Sequence, residues 1–310
     1  MRAMGGVELD HQVRLKAFDF LESQVALYGG EVLPRQVLAT GFLFEGNRIS
    51  LVGPPGIFKP QVLDLPLTIT TAPIVHGRPR PYDDGFDEGG LLRYRYRGTD
   101  PNHPDNVGLR EIMRRNLPLI YFHGVAKGRY MACWPAYLVH DNPAGLYFSV
   151  ALDDRTLERK EFTLAETDES VVRRSYVTAF VRRRMHQQAF RERVLRAYRE
   201  HCAVCRLRHS ELLEAAHILP DTHERGEPVV SNGLSLCSLH HAAFDTNILG
   251  ITPDLLVDIR GDILEEIDGP MLIHGLQEFQ GKRILVPRSE IQQPNRDSLA
   301  ERYDLFRKAS

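Results

Sequence analysis

The chain has 310 residues, 43% of them apolar, and a formal net charge of -2 at pH 7. That is room for two or three ordinary domains with sizeable cores, and it excludes a low-complexity or disordered chain. No apolar run approaches the roughly 18 residues of a membrane span, and the opening MRAMGGVELDHQ lacks the apolar centre of a secretory signal, so the expected location is the cytoplasm.

The first block, residues 8–58, opens with HQVRLKAFDFLESQVALYG. Val13, Ala17, Phe20, Leu21 and Val25 recur there at spacings of three and four, which predicts an amphipathic helix ended by Gly29 and Gly30. A second short helix is predicted over residues 34–40 with proline in its first turn, then strands in FLFEG and RISLVG around a turn at Gly46 and Asn47. Helix, helix and hairpin predict a small winged-helix-like cap over residues 1–58. Its recognition segment carries only Arg35, which favours packing over DNA contact.

The second block, residues 59–164, holds the strand-like runs LPLTITTAPI, GLLRYRYRG, LPLIYFHGV, RYMACWPAYLV and GLYFSVALD, separated by Gly, Pro, Asn and Asp. This pattern predicts a β-barrel or sandwich, with one helix over residues 107–115. Cys133 lies in an apolar run and reads as a buried thiol.

Within this block GIFKP, the Tyr-, Asp- and Gly-rich segment 82–98, and the later RGTDPN, MRRNLPLIY and YLV resemble the SET-and-RING-associated domain, a reader of methylated bases. The resemblance implies a flipped 5-methylcytosine sandwiched between two tyrosines and read along its edge by an aspartate. Ungapped spacing puts Tyr82 and Tyr94 on the sandwich positions with Gly89 between them, whereas anchoring on the later Tyr-x-Gly moves the second tyrosine to Tyr96. Gly85 occupies the ungapped edge position, flanked by Asp84 and Asp87, and Asp84 is the preferred reader. The chemistry is reasonable, because aromatic faces restore stacking that a base loses on leaving the duplex. The competing reading has Tyr94 and Tyr96 decorating one strand and the aspartates solvating a turn.

Residues 165–198 are predicted to form a basic helical linker. Val177, Val181 and Met185 form one apolar line, Phe190, Val194, Leu195 and Tyr198 continue a stripe, and arginines fill the other faces. Between residues 173 and 208 there are 11 arginines against two carboxylates, Glu192 and Glu200, a basic belt that the acidic segment 254–268 hides in the total. Arg182, Arg183, Arg191 and Arg193 are therefore candidate contacts to the DNA backbone, since the planar guanidinium suits phosphate. A solvated helix face is the alternative. Arginine outnumbers lysine 33 to 6 over the whole chain, a bias that a GC-rich genome also produces.

The last blocks are residues 199–275, with a C-terminal extension over 276–310. Cys202 and Cys205 form a C-x-x-C pair, and Cys237 with His240 repeats the spacing, so two turns supply the four tetrahedral ligands zinc prefers. Between and beside them lie His217, Asn232 and His241, in AAHI, NGL-x-LC and HH-x-x-FD. These segments, in this order, resemble the HNH nucleases.

The resemblance implies a ββα-metal module: a strand over 211–219, a second over 232–236, and a helix from Ser238. It implies that His217 activates water, that Asn232 supports catalysis by orienting the base or fastening the loop, that His241 and Asp245 hold a divalent ion such as Mg2+ or Mn2+, and that cleavage leaves a 5'-phosphate. The spacing of four puts His241 and Asp245 on one helix face. Many relatives carry Asp directly before the catalytic histidine, and this chain has Ala216 there. The expected whole is an α+β, multi-domain protein, a β-barrel-like reader joined by a basic helix to a zinc-braced nuclease. It would act on modified double-stranded DNA, away from membranes, as a dimer or by sequential nicks. Rival readings are a nuclease recognising hydroxymethylcytosine, phosphorothioate or unmodified sequence, and an inactive zinc-stabilised regulator.

Overall fold

The structure is a computed structural model that describes residues 6–73, 85–86, 91–152 and 168–309; of the side chains between 168 and 180 it describes Thr178 alone. Contacts divide the chain into two units, Met1–Gln188 and Ala189–Ser310, and each has a core of its own.

In the first unit, helix α1 (Gly6–Tyr28) buries Val13, Arg14, Ala17, Phe18 and Leu21. The inner stripe is rotated slightly from the predicted one, with Phe20 and Val25 only partly buried. The shift has a polar cause. Arg14 is 2% exposed, and its guanidinium pairs with Asp10 while donating to the carbonyls of Pro118 at 2.8 Å and Pro66 at 3.0 Å. A charged residue inside the buried stripe hides that stripe from a reading of hydropathy alone.

Strand β1 (Val32–Pro34) leads into α2 (Arg35–Thr40), which stops at Gly41. Its φ is 59°, and a Cβ there would lie 1.8 Å from the Ile49 carbonyl oxygen, so the position requires glycine. The hairpin of β2 (Phe42–Phe44) and β3 (Asn47–Ile49) turns at Glu45 and Gly46, one residue before the predicted pair; both have positive φ, as a tight hairpin demands.

The main sheet comprises β1 together with β4 (Ile57–Phe58), β5 (Thr68–Thr71), β6 (Gly85–Phe86), β7 (Leu92–Arg95), β8 (Leu119–Ala126), β9 (Arg129–Asn142) and β10 (Tyr147–Leu152). Its order is β4-β5-β8-β9-β10-β7-β6, with β1 also on β9. The β5–β8 pair is parallel and the others are antiparallel. Among the described residues this sheet is open, which corrects the expected barrel. Among the described residues the end strands β4 and β6 do not pair with each other. Helix α3 (Pro104–Arg114) forms where one helix was expected but starts three residues before the predicted 107, with Pro104 at its first position and the His103 ring accepting from Asp105 N–H.

Helix α4 (Asp168–Ala197) carries the boundary between the units. On the first-unit side, Thr178 Oγ1 is buried and accepts from the Leu152 N–H at 3.1 Å, and Arg184 pairs with Glu31. In the second unit, Phe190, Val194 and Leu195 of α4, with Tyr198, pack into the core around β11 (Leu213–His217), β12 (Gly233–Cys237) and α5 (Ser238–Asp245). Gly233 lets β12 approach α4 closely: a Cβ there would lie 2.5 Å from Val194 Cγ2 and 2.9 Å from Phe190 Cζ. The hairpin β13 (Leu249–Ile251) and β14 (Val257–Ile259), short helices α6 (Gly261–Glu265) and α7 (Pro270–Gly275), and α8 (Arg296–Ala309) complete the unit. Among the described residues no helix is long and apolar enough to cross a membrane.

Arg14 provides a test of the first unit. Arg14→Ala leaves Asp10 and two carbonyls without their donor, so the full chain should lose about 3 kcal/mol in the urea transition of that unit. Arg48→Ala, at an exposed hairpin position, should change it by less than about 0.5 kcal/mol.

Candidate active site and metal centre

The second unit brings Cys202, Cys205, Cys237 and His240 together, with one ligand atom from each lying within 4.8 Å of all the others. The first pair sits on a tight turn closed by Arg206 N–H to the Cys202 carbonyl at 3.1 Å and Cys202 N–H to the Leu207 carbonyl at 2.9 Å. The second pair straddles the end of β12 and the first turn of α5, where a spacing of three returns His240 to the side of Cys237. A tetrahedral zinc with bonds of about 2.3 Å to sulfur and 2.05 Å to nitrogen separates its ligands by about 3.8 Å (S–S) and 3.6 Å (S–N). Cys205 Sγ is 3.9 Å from Cys237 Sγ, and His240 Nδ1 is 3.6 Å from Cys202 Sγ and 3.1 Å from Cys237 Sγ. The donor set therefore fits such an ion, with Nδ1 as the imidazole ligand atom. Burial works against a charged His240, but the sulfurs of Cys205 and Cys237 outweigh it and hold the ring up to about 9.

One residue further along α5, His241 faces the other way, toward β11. Its Nδ1 is hydrogen-bonded to Glu214 Oε2, and its Nε2 lies 3.3 Å from Asp245 Oδ2. Glu214 Oε1 in turn accepts from Ser238 Oγ at 3.1 Å. These bonds, that of His241 first, hold the Glu214 carboxyl below its ordinary range.

His217 ends β11 opposite Gly233, stacked on Phe190 with ring centroids 4.0 Å apart. Its Nε2 is buried with no hydrogen-bond partner. Burial pushes its pKa down, more than the nearby Asp221 carboxylate pushes it up. Asn232 lies in a short 3-10 turn before β12, not on the strand itself. Its side chain accepts from Leu219 N–H at 3.0 Å and donates to the carbonyls of Leu219 and Glu227 at 2.9 and 3.2 Å, so all its hydrogen bonds fasten the loop. Ala216 is fully buried in the core, so a carboxylate there would point into apolar packing.

In the first unit Tyr94 of β7 and Tyr96, just past its end, are buried, while Arg93 and Arg95 are exposed. Both line a cavity of about 370 Å3 together with Pro54, Pro55, Gly56 and Tyr130. Tyr96 is tied down: its hydroxyl bonds to Asp141 and its ring packs on Phe148 at 4.7 Å. Gly56 is the close neighbour of Tyr94, since a Cβ there would sit 3.1 Å from the tyrosine hydroxyl. Tyr82, Asp84 and Asp87 lie outside the described residues.

Residues 202–252 match the family model described as HNH endonuclease. This segment is similar to the HNH endonucleases. Among solved structures, the chain is similar to a modification-dependent TagI restriction endonuclease, at 18% identity over 78% of this chain and 81% of that one, with a TM-score of 0.27. It is also similar to ScoMcrA, a Type IV phosphorothioation-dependent restriction endonuclease, at 14% identity over 61% of this chain and 47% of that one, with a TM-score of 0.22. No curated protein matches the chain.

The arginines that precede the HNH segment have different surroundings. Arg183 is exposed, and Arg182 lies over the Phe86 ring at 5.3 Å. Arg191 donates to the carbonyls of Ser210 and Leu213 at 2.9 and 2.8 Å, and Arg193 to that of Pro228 at 2.9 Å, bonds that brace the HNH segment. Sequence reasoning missed Glu214 and the Phe190 ring, because nothing in spacing shows which side chain of β11 meets α5 or α4.

The metal centre carries its own test. Cys205→Ser should bind far less than the one zinc per chain expected of the wild type, measured by elemental analysis of the purified protein, and the second unit should melt earlier. A strong chelator added to the wild type should reproduce that melting shift.

Proposed function

We propose that this chain is a metal-dependent DNA endonuclease whose second unit cuts the phosphodiester backbone and whose first unit reads a modified base. The observation that supports the cutting half is the pairing of His241 with Asp245 at 3.3 Å, in a segment similar to HNH endonucleases where the buried, unpartnered Nε2 of His217 feels the charge of both. Cys202, Cys205, Cys237 and His240 hold a structural zinc, and His241 with Asp245 holds a divalent ion. That ion supplies Lewis-acid stabilisation of charge developing on the scissile phosphate.

His217 acts as the general base. A buried imidazole nitrogen without a partner calls for one, and the attacking water provides it. Phe190 fixes the plane of the ring from behind. Because burial lowers its pKa, the ring stays neutral and able to take a proton in acid where an ordinary histidine is already charged. A cation at Asp245 acts in the same direction.

The reading half is supported by the cavity beside Tyr94, whose size suits a small-molecule or base-sized guest. Tyr94, whose hydroxyl donates to the Thr70 carbonyl at 3.4 Å, and Tyr96, whose hydroxyl bonds to Asp141 and whose ring packs on Phe148, are the two alternatives for the second sandwich residue. Arg182 and Arg183 remain the backbone candidates, while Arg191 and Arg193 brace the fold.

The test is a cleavage panel with magnesium or manganese and DNA that is unmodified, cytosine-methylated, hydroxymethylated or phosphorothioated. Methylated DNA should be cut preferentially; equal cutting of every substrate rejects the methyl reader, and no cutting with either metal favours a binding module. His217→Ala should lower the rate by at least about 100-fold. Tyr94→Ala should weaken binding of modified DNA by about 1–3 kcal/mol while leaving the zinc content unchanged. The acid limb of kcat/KM should have its midpoint below about pH 6.5, the ordinary histidine value; a midpoint above it contradicts the assignment of His217.

A further inference from the structure

We infer that Glu214 is a positioning residue that fixes the tautomer of His241 and so turns its Nε2 lone pair toward the divalent ion shared with Asp245. The inference rests on the nuclease reading above and assigns a role to a carboxylate that neither the HNH pattern nor the missing acid at Ala216 accounts for.

Both ring nitrogens of His241 face carboxylates, Nδ1 toward Glu214 and Nε2 toward Asp245. A neutral imidazole has one N–H, so it donates to one of them and presents a lone pair to the other. One ion can use only one nitrogen of the ring, so Glu214 and Asp245 cannot play the same part.

Geometry separates them. Two ligands of one octahedral or tetrahedral ion with bonds of about 2.1 Å lie about 3.0–3.4 Å apart. The Nε2 to Asp245 Oδ2 separation is 3.3 Å, that of two ligands sharing an ion. The Nδ1 to Glu214 contact is a direct hydrogen bond instead.

Both Glu214 oxygens are moreover engaged by donors of α5, Oε2 by His241 and Oε1 by Ser238 at 3.1 Å. A carboxylate held from two points on the helix is an orienting group. It accepts the Nδ1–H, the proton stays on Nδ1, and the Nε2 lone pair is left for the ion. This is how a carboxylate behind a metal-bound histidine raises ligand basicity and locks the ring.

Ala216 fits this arrangement. Its side chain is buried in the core, so position 216 could not present a ligand without burying a charge. Glu214, two residues earlier on β11, lies at the surface and reaches the first turn of α5, where it acts on the ion through His241.

The experiment uses the full zinc-loaded chain with 15N-labelled histidine, and His241→Gln to assign the resonance. Long-range 1H–15N spectra of the wild type should show His241 protonated on Nδ1. Glu214→Ala should shift the ring toward the Nε2–H tautomer and weaken manganese affinity, read by electron paramagnetic resonance, about 10- to 100-fold. Glu214→Gln keeps an oxygen that accepts the Nδ1–H and should lose clearly less than Glu214→Ala. An unchanged tautomer and affinity in Glu214→Ala overturns the inference, and so does a Glu214→Gln variant as weak as Glu214→Ala, which would make the charge itself a ligand. Zinc content equal to wild type reports that the variants fold. Wild-type protein that binds manganese with the stated tautomer but cuts no DNA would reject the nuclease reading while leaving the role of Glu214 intact.

Discussion

Three sulfurs and one imidazole nitrogen of the second unit converge closely enough to share one metal ion such as zinc, and on the proposed reading that ion holds the unit in shape. The tetrad ties the turn at Cys202 and Cys205 to the junction between β12 and α5, and a helix of eight residues could not hold its direction alone. With His240 pinned, the adjacent His241 is rotated about 100° around the helix axis and must face β11. There it meets Glu214, and one turn later Asp245 joins it. The two neighbouring histidines thus meet different partners because the helix separates their directions, and on the proposed reading they serve different tasks.

Packing supplies the second constraint. Phe190, at the end of α4, lies flat against His217, and Gly233 gives that helix room to come so close to the hairpin. Asn232 fastens the loop between the strands through three hydrogen bonds. On the proposed reading, the base, the ion ligands and their support therefore come from a rigid hairpin, one short helix and the end of a longer one.

Much of this was legible in the residues, and the limits have physical causes. Cys-x-x-Cys and Cys-x-x-His reveal themselves because a metal demands short turns with fixed spacing, and the four residues do converge. The hairpin and the helix beginning at Ser238 were implied by the resemblance of the segments around His217, Asn232 and His241 to HNH nucleases, and the chain forms both, with Asn232 just before the second strand. Glu214 was invisible, since its meaning lies in a contact across the hairpin and not along the chain. Arg14 was hidden by its charge, although its carbonyl partners make it a core residue. The sheet, open among the described residues, was read as a barrel or sandwich because alternating strands look alike whether or not the edge strands meet. Among the arginines, composition showed a belt but not that Arg191 and Arg193 already serve backbone carbonyls.

The account stands on the second unit being a hydrolytic DNA-cutting centre. The most direct measurement is the chemistry of the ends left when the zinc-loaded protein is incubated with DNA and manganese. The account predicts nicks or breaks with a 5'-phosphate and a 3'-hydroxyl, as water activated at His217 attacks and the 3'-oxygen leaves. Intact DNA, or ends carrying a 3'-phosphate, would contradict it.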